Sequence, residues 1–191
     1  MLGAEGTVDL VQSYLAANMP AKIAALQTRL GVTSTDLRAP ALYSTSLYER
    51  IEIAQFPAIE VQFQAFGQPV FLDNNAGQLT YRWPYRLRVY IEERGNSYDQ
   101  VEQRRKRLLL GVTELLTSHP MLSASSPTAW VDVTSMTASF FGLGTLAQAK
   151  DARSIAACYL ELVVMVEEMT DALTPIGTAD TIVVSVYPAN Q

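Results

Sequence analysis

LTYRWPYRLRVYIEE, residues 79–93, is the stretch from which the rest of the chain is read. Leu79, Tyr81, Trp83, Tyr85, Leu87, Val89 and Ile91 fall on one parity. Thr80, Arg82, Pro84, Arg86, Arg88 and Glu92 fall on the other, with Tyr90 the one apolar exception. Side chains alternate across a strand, so the pattern predicts a long, half-buried β-strand. One face supplies core; the other carries three arginines. Pro84 has no N–H for a ladder and predicts an edge position or a bulge.

The neighbouring segments extend this reading. Pro57 opens a second strand in which Ile59, Val61, Phe63 and Ala65 alternate with Glu60, Gln62 and Gln64. Asp73-Asn74-Asn75-Ala76-Gly77 is turn chemistry, and with an extension at Val70 to Leu72 it predicts an antiparallel hairpin with a long tip. Upstream, residues 7–31 read as helix with Thr7 as cap, interrupted at Pro20 into two segments or kinked, and closed by Gly31. The stretch Leu47 to Phe56 could hold a short strand. Downstream, Ser97 with Gln100 forms a capping-box pattern ahead of a helix. Its stripe is Val101, Leu108, Leu109, Val112, Leu115 and Leu116. Arg104 to Arg107, the one dense basic run, reads as a solvated face of that helix. Residues 121–129 read as a loop, Trp130 to Val133 as the start of a strand, and 138–153 as a loop. Ala156 to Val166 is a strand apolar on both faces and therefore central. Residues 171–180 read as a linker, and Thr181 to Tyr187 as a last strand-like piece.

The chain has 191 residues, enough for one domain with its own core. Charged residues are 17%, hydrophobic ones 49%, and there are nine tyrosines. That balance suits either a large core or a surface made for partners. A net charge of −5 disfavours free binding to duplex nucleic acid. One cysteine excludes an intrachain disulfide, and one histidine excludes a histidine-based metal cluster. No signal-peptide pattern opens the chain, and no apolar run approaches the ~20 residues that span a bilayer. A soluble, intracellular protein is expected.

No catalytic constellation emerges. Glu92-Glu93 and Glu167-Glu168 are adjacent strand residues pointing opposite ways, so neither pair can act as an acid–base couple. Cys158, mid-strand on the core parity, reads as an inert core thiol. Gly142-Leu143-Gly144 lacks the strand that a dinucleotide-binding turn requires. His119 reads as a helix-end residue. Neither an enzyme nor a cofactor is expected.

The order helix, hairpin of long strands, helix, two strands resembles the tail terminator proteins of long-tailed bacteriophages. The resemblance rests on Ala58-Ile59-Glu60-Val61, Arg86-Leu87-Arg88-Val89-Tyr90-Ile91, the segment Tyr98 to Leu116, and Tyr159-Leu160-Glu161-Leu162-Val163-Val164. The closing turns of the first helix, Ala24 to Leu30, also fit. It covers roughly residues 7–168.

The fold expected is α+β: a mostly antiparallel twisted sheet of about four to five strands, helices packed on one face, order α-β-β-α-β-β. The core domain is residues 1–169, and 170–191 form a C-terminal extension or arm. The resemblance implies a structural virion protein of the tail neck, assembled in the host cytoplasm. It would form a homo-oligomeric, hexameric ring that caps the tail tube protein and meets a head-side connector or stopper protein. DNA would be met only in passing through the channel, and no membrane would be met. Another neck component (a head–tail adaptor or tail-completion protein) and a small non-virion binding module are the alternatives. Candidate interface residues are Arg82, Arg86 and Arg88 on the organising strand, and Leu110 off the stripe of its helix. Phe140, Phe141, Leu143 and Leu146 come from the apolar loop, and Ile182 and Val184 from the arm, expected to add a strand to a neighbour. Glu60 and Glu161 are the expected partners of the arginines.

Overall fold

The long strand forms where the alternation puts it. In the computed structural model, which describes residues 2–45, 55–75, 78–141 and 154–171, it spans Gln78–Gly95 and is the fourth strand, β4. Before it come α1 (Gly3–Leu30), β1 (Leu42–Ser44), β2 (Ala58–Phe66) and β3 (Val70–Asn75). After it come α2 (Tyr98–Ser118), β5 (Met121–Ser123), β6 (Thr128–Phe141) and β7 (Ser154–Asp171). The sheet runs β1-β2-β4-β7-β6-β5, with β3 also on β4. All pairs are antiparallel except β1 with β2, which is parallel.

The class is α+β, but the expected strand count and order are corrected. Among the described residues seven strands run in the order α-β-β-β-β-α-β-β-β. β1 and β5 have three residues each, too few to leave a period in the sequence. Met121–Ser123 lies where a loop was expected. β2 and β3 are one strand interrupted at Gly67-Gln68-Pro69, both paired to β4, so the expected long hairpin is present. Most of Leu47 to Phe56 lies outside the described residues.

Of the two placements expected for Pro84, the edge is corrected and the strand irregularity is found. Pro84 is in the centre of the sheet, flanked by β7 and by the β2–β3 interruption. Gly67 donates its N–H to the Pro84 carbonyl at 2.8 Å, so that edge of Pro84 faces the interruption, where no ladder N–H is required. A Cβ on Gly67 would stand 2.8 Å from Pro84 Cγ, so glycine is needed for this approach.

Both helices lie on one face. α1 runs unbroken through Pro20. Val8, Val11, Leu15, Met19, Ile23 and Leu26 are all buried, an apolar stripe continuous across the proline, and Pro20 itself faces solvent. Burying that stripe outweighs one lost backbone bond. Gly31 ends the helix in the left-handed region, φ 62°, as expected, and Val32 N–H reaches the Gln27 carbonyl at 3.0 Å. Neither expected N-terminal cap is used. Thr7 is buried and donates to the Gly3 carbonyl at 2.6 Å, and Ser97 makes no side-chain cap bond. α1 is capped from across the sheet: Glu168 of β7 accepts from Leu2 N at 2.5 Å and Gly3 N at 3.2 Å. A carboxylate there meets the positive end of the helix dipole.

Leu87, Val89, Ile91, Leu108, Leu109, Val112, Leu160 and Leu162 join one core cluster with the α1 stripe. α2 buries one residue that hydrophobicity hid: Arg105, 3% exposed, donates to the Ala157 carbonyl at 2.6 Å and pairs with Glu102. The basic run is therefore no solvated face. Arg104 turns toward Glu93, Arg107 bonds the Asp36 carbonyl at 3.0 Å, and only Lys106 is exposed.

Two measurements check this packing. Leu109→Ala should lower stability by roughly 2–5 kcal/mol in urea unfolding, whereas Leu110→Ala, on the exposed side, should change it by less than ~0.5 kcal/mol. The second concerns Glu114, which clasps α1 to α2 by accepting from Arg29 at 3.1 and 2.6 Å and from Lys22 at 2.8 Å. Arg29 first, then Lys22, draws its carboxyl down to about 2. Because the folded pKa lies below the unfolded one, the stabilisation is present at neutral pH and is lost as pH falls from the ordinary 4.5 toward 2. Glu114→Gln should cost at most ~1 kcal/mol at neutral pH, the group being partly solvated, and the difference from the parent should vanish at the acid end.

Candidate interface surfaces

The face of β4 turned away from the helices carries Arg82, Arg86 and Arg88, and register sets what stands beside them. Across β4, β7 and β6 the rows are Arg82–Glu167–Thr128, Pro84–Met165–Trp130, Arg86–Val163–Asp132, Arg88–Glu161–Thr137 and Tyr90–Tyr159–Ser139. Glu161 was expected; Glu167 follows from the same parity once the β4–β7 register is known. Arg82 reaches Glu167 Oε1 through Nε at 3.1 Å and Nη2 at 2.6 Å, and its guanidinium lies 5.1 Å from the Trp130 ring centroid. Arg88 bonds Glu161 at 3.1 Å and covers the Tyr159 ring at 4.7 Å. Arg86 is 59% exposed and only 3.8 Å from Glu161. Glu60, the other expected partner, is buried and stands opposite Tyr90 in register.

Three cations thus face two carboxylates in these pairs. Each half-exposed ion pair contributes about 0–1 kcal/mol, and the stacked aromatics add about 0.5–1 kcal/mol per cation–π contact. The third carboxylate of the rows, Asp132, is turned to its own strand. It accepts from Thr134 N and Oγ1 at 3.0 and 2.6 Å, inside a bulge between Asp132 and Thr137. Arg86 has the longest ion pair of the three.

Leu110 and Phe140 do not join this face. Leu110 lies on the outer side of α2, 38% exposed, in the opposite layer. Phe140 and Phe141 are corrected from loop to strand: they end β6, opposite Cys158 and Ala157. Phe140 remains 53% exposed, with the Arg105 guanidinium 4.9 Å from its ring centroid. Leu143, Leu146, Ile182 and Val184 lie outside the described residues.

A second surface was missed by the sequence reading. Phe66, Val70, Phe71, Leu72 and Met169 are exposed around the far end of β3, β4 and β7. Phe66 meets Phe63 and Trp83 at centroid distances of 6.2 and 6.4 Å, and Phe71 meets Tyr81 at 5.6 Å. Phe66, Trp83, Tyr85 and Ala4 line a shallow pocket there. The signal was present: Val70-Phe71-Leu72 is apolar at three consecutive positions, so no single face can bury it.

The strand-end carboxylates separate as their parity requires. Glu93 and Glu168 are buried on the helix side, while Glu92 and Glu167 are on the other. Burial pushes the Glu93 carboxyl up against the opposing pull of Arg38, 2.6 Å away, and of Arg104. Burial likewise raises the Cys158 thiol to about 12, which leaves it unreactive at neutral pH. Among the described residues no group of metal-binding side chains occurs, and no helix is long and apolar enough to cross a membrane. Comparison with known proteins returns no matching family model and no matching curated protein.

Proposed function

We propose that the chain is a structural virion protein of the tail terminator type. Copies close into a ring, hexameric by the resemblance, that ends the tail tube and offers a docking surface to the head-side connector or stopper protein. DNA passes through its channel, and neither catalysis nor a cofactor is involved.

One observation carries this reading. Among the described residues both helices lie on one side of a long-stranded sheet, and no element covers the other face, which carries arginines, tyrosines and Trp130 in rows. A face of that composition is suited to a protein partner: aromatics and arginine supply interface energy, and lysine is absent from the rows. Charge argues for a subunit contact over a DNA-gripping lumen. Arg82 and Arg88 are paired at short range with Glu167 and Glu161, which leaves Arg86, exposed and with a 3.8 Å pair, as the arginine best placed for an acidic neighbour. One loosely paired cation per subunit lets a duplex slide.

Arg86→Glu should leave unfolding stability within ~0.5 kcal/mol of the parent, since its own pair is long and exposed. It should nonetheless abolish rings and tube-end caps in electron micrographs, with partial rescue by a charge reversal on the contacting neighbour. Normal assembly with a defect only in DNA retention or ejection would move Arg86 to the channel. Protein located between connector and head, without tube-end rings, would make it an adaptor or completion protein. A monomer that never assembles, even on tail tubes, would make it a small binding module.

A further inference from the structure

The outer edge of β3 is the most exposed apolar strand edge among the described residues. Val70, Phe71 and Leu72 are 55%, 53% and 38% exposed, and Phe66 beside them is 63% exposed. Among the described residues no strand lies beyond β3, and β1 covers β2 only at Ala58 to Glu60. Edge strands are ordinarily protected by charge, by lysine above all. From Val61 to Asn75 the one charged residue is Asp73. An uncharged, apolar edge of this length is built to be paired.

The end of the described chain indicates the occupant. β7 finishes at Asp171, paired with Gln78 at the tip of the same hairpin. Residues 172–191 follow, and within them Thr181-Ile182-Val183-Val184-Ser185-Val186-Tyr187 is strand-forming in composition and carries no charge. The residues between, 172–180, can span at most roughly 30 Å, and strands in a sheet are about 4.8 Å apart. A segment leaving Asp171 therefore reaches an edge several strands away.

We infer that residues 181–187 of one copy add a strand to the β3 edge of a neighbouring copy. The inference rests on the ring reading, which supplies a neighbour within reach. Backbone hydrogen bonds provide the attachment, while Ile182, Val184 and Val186 cover one side of the strip formed by Phe66, Val70, Phe71 and Leu72. The contact is heterologous, one end of each copy on the edge of the next, which is the type that closes rings.

The test uses the full chain with a photo-reactive phenylalanine analogue in place of Val184, assembled from an equal mixture of unlabelled and heavy-isotope copies. After illumination, mass spectrometry of the cross-linked peptides should find mixed-isotope links to residues 61–75, and Leu72→Lys should reduce them at least tenfold. Links only within single-isotope chains would overturn the inference by placing the segment on its own edge. Links to other peptides, or none, would also overturn it. Micrographs of the same samples separate the two readings. Rings without mixed links sink the exchange and spare the terminator, whereas mixed links in open chains or dimers support the exchange and sink the ring.

Discussion

β4 and β7 pair residue for residue from Gln78↔Asp171 to Gly95↔Ser154, and the other elements depend on that ladder. Eighteen residues on each strand set two parities at once. One gives Tyr85, Leu87, Val89 and Ile91 beside Val164, Leu162, Leu160 and Cys158, the floor on which both helices lie. The other sets Arg82 beside Glu167 and Arg88 beside Glu161, so the polar face is neutralised by the register that builds the core. The surface composition is thus a consequence of core packing and not a separate feature.

What the sequence disclosed was what has a period. The alternation of β4, the apolar stripe of α2 and the two-sided apolarity of β7 all lie on the chain's own repeat, and all are found in place. What it concealed needed a partner to be known. Pro84 pointed to an edge or a bulge, and only the register shows that the neighbouring strand breaks beside it in mid-sheet. α1 ignores Thr7 as a cap because Glu168, far along the chain, is delivered to its first N–H groups. Arg105 occupies a position of the α2 stripe, four residues after Val101 and three before Leu108, so spacing pointed inward while charge pointed outward. Spacing prevailed because the Ala157 carbonyl and Glu102 were there to meet the guanidinium.

The same holds for the interface candidates. Arg82, Arg86 and Arg88 were grouped correctly because parity alone groups them. Their partners depend on register, so Glu161 was legible and Glu167 was not. Phe140 was misplaced into a loop because Gly142 and Gly144 suggest a turn, yet β6 runs through Phe141. The exposed strip at Val70 to Leu72 passed as a strand extension. Its apolar residues look ordinary until the sheet shows that nothing among the described residues lies on their outer side.

Open edges ordinarily invite slippage, and this sheet has a device against it. A shift of one residue in β4 or β7 would exchange faces. The core parity is bounded by two buried carboxylates, Glu93 toward one end and Glu168 toward the other. Glu93 is met by Arg38 and Arg104, and Glu168 by the N-terminus of α1. After a slip, both would lose those partners, while Arg86 or Arg88 would be driven under the helices without one. Buried charges of this kind contribute little net stability, because desolvation offsets their attraction. Their effect here is on choice among alternatives: the native register gives each carboxylate a partner, and the nearest competing register takes it away. With the register of β4 and β7 fixed from both ends, the β3 edge can remain uncharged and apolar without endangering the fold that presents it.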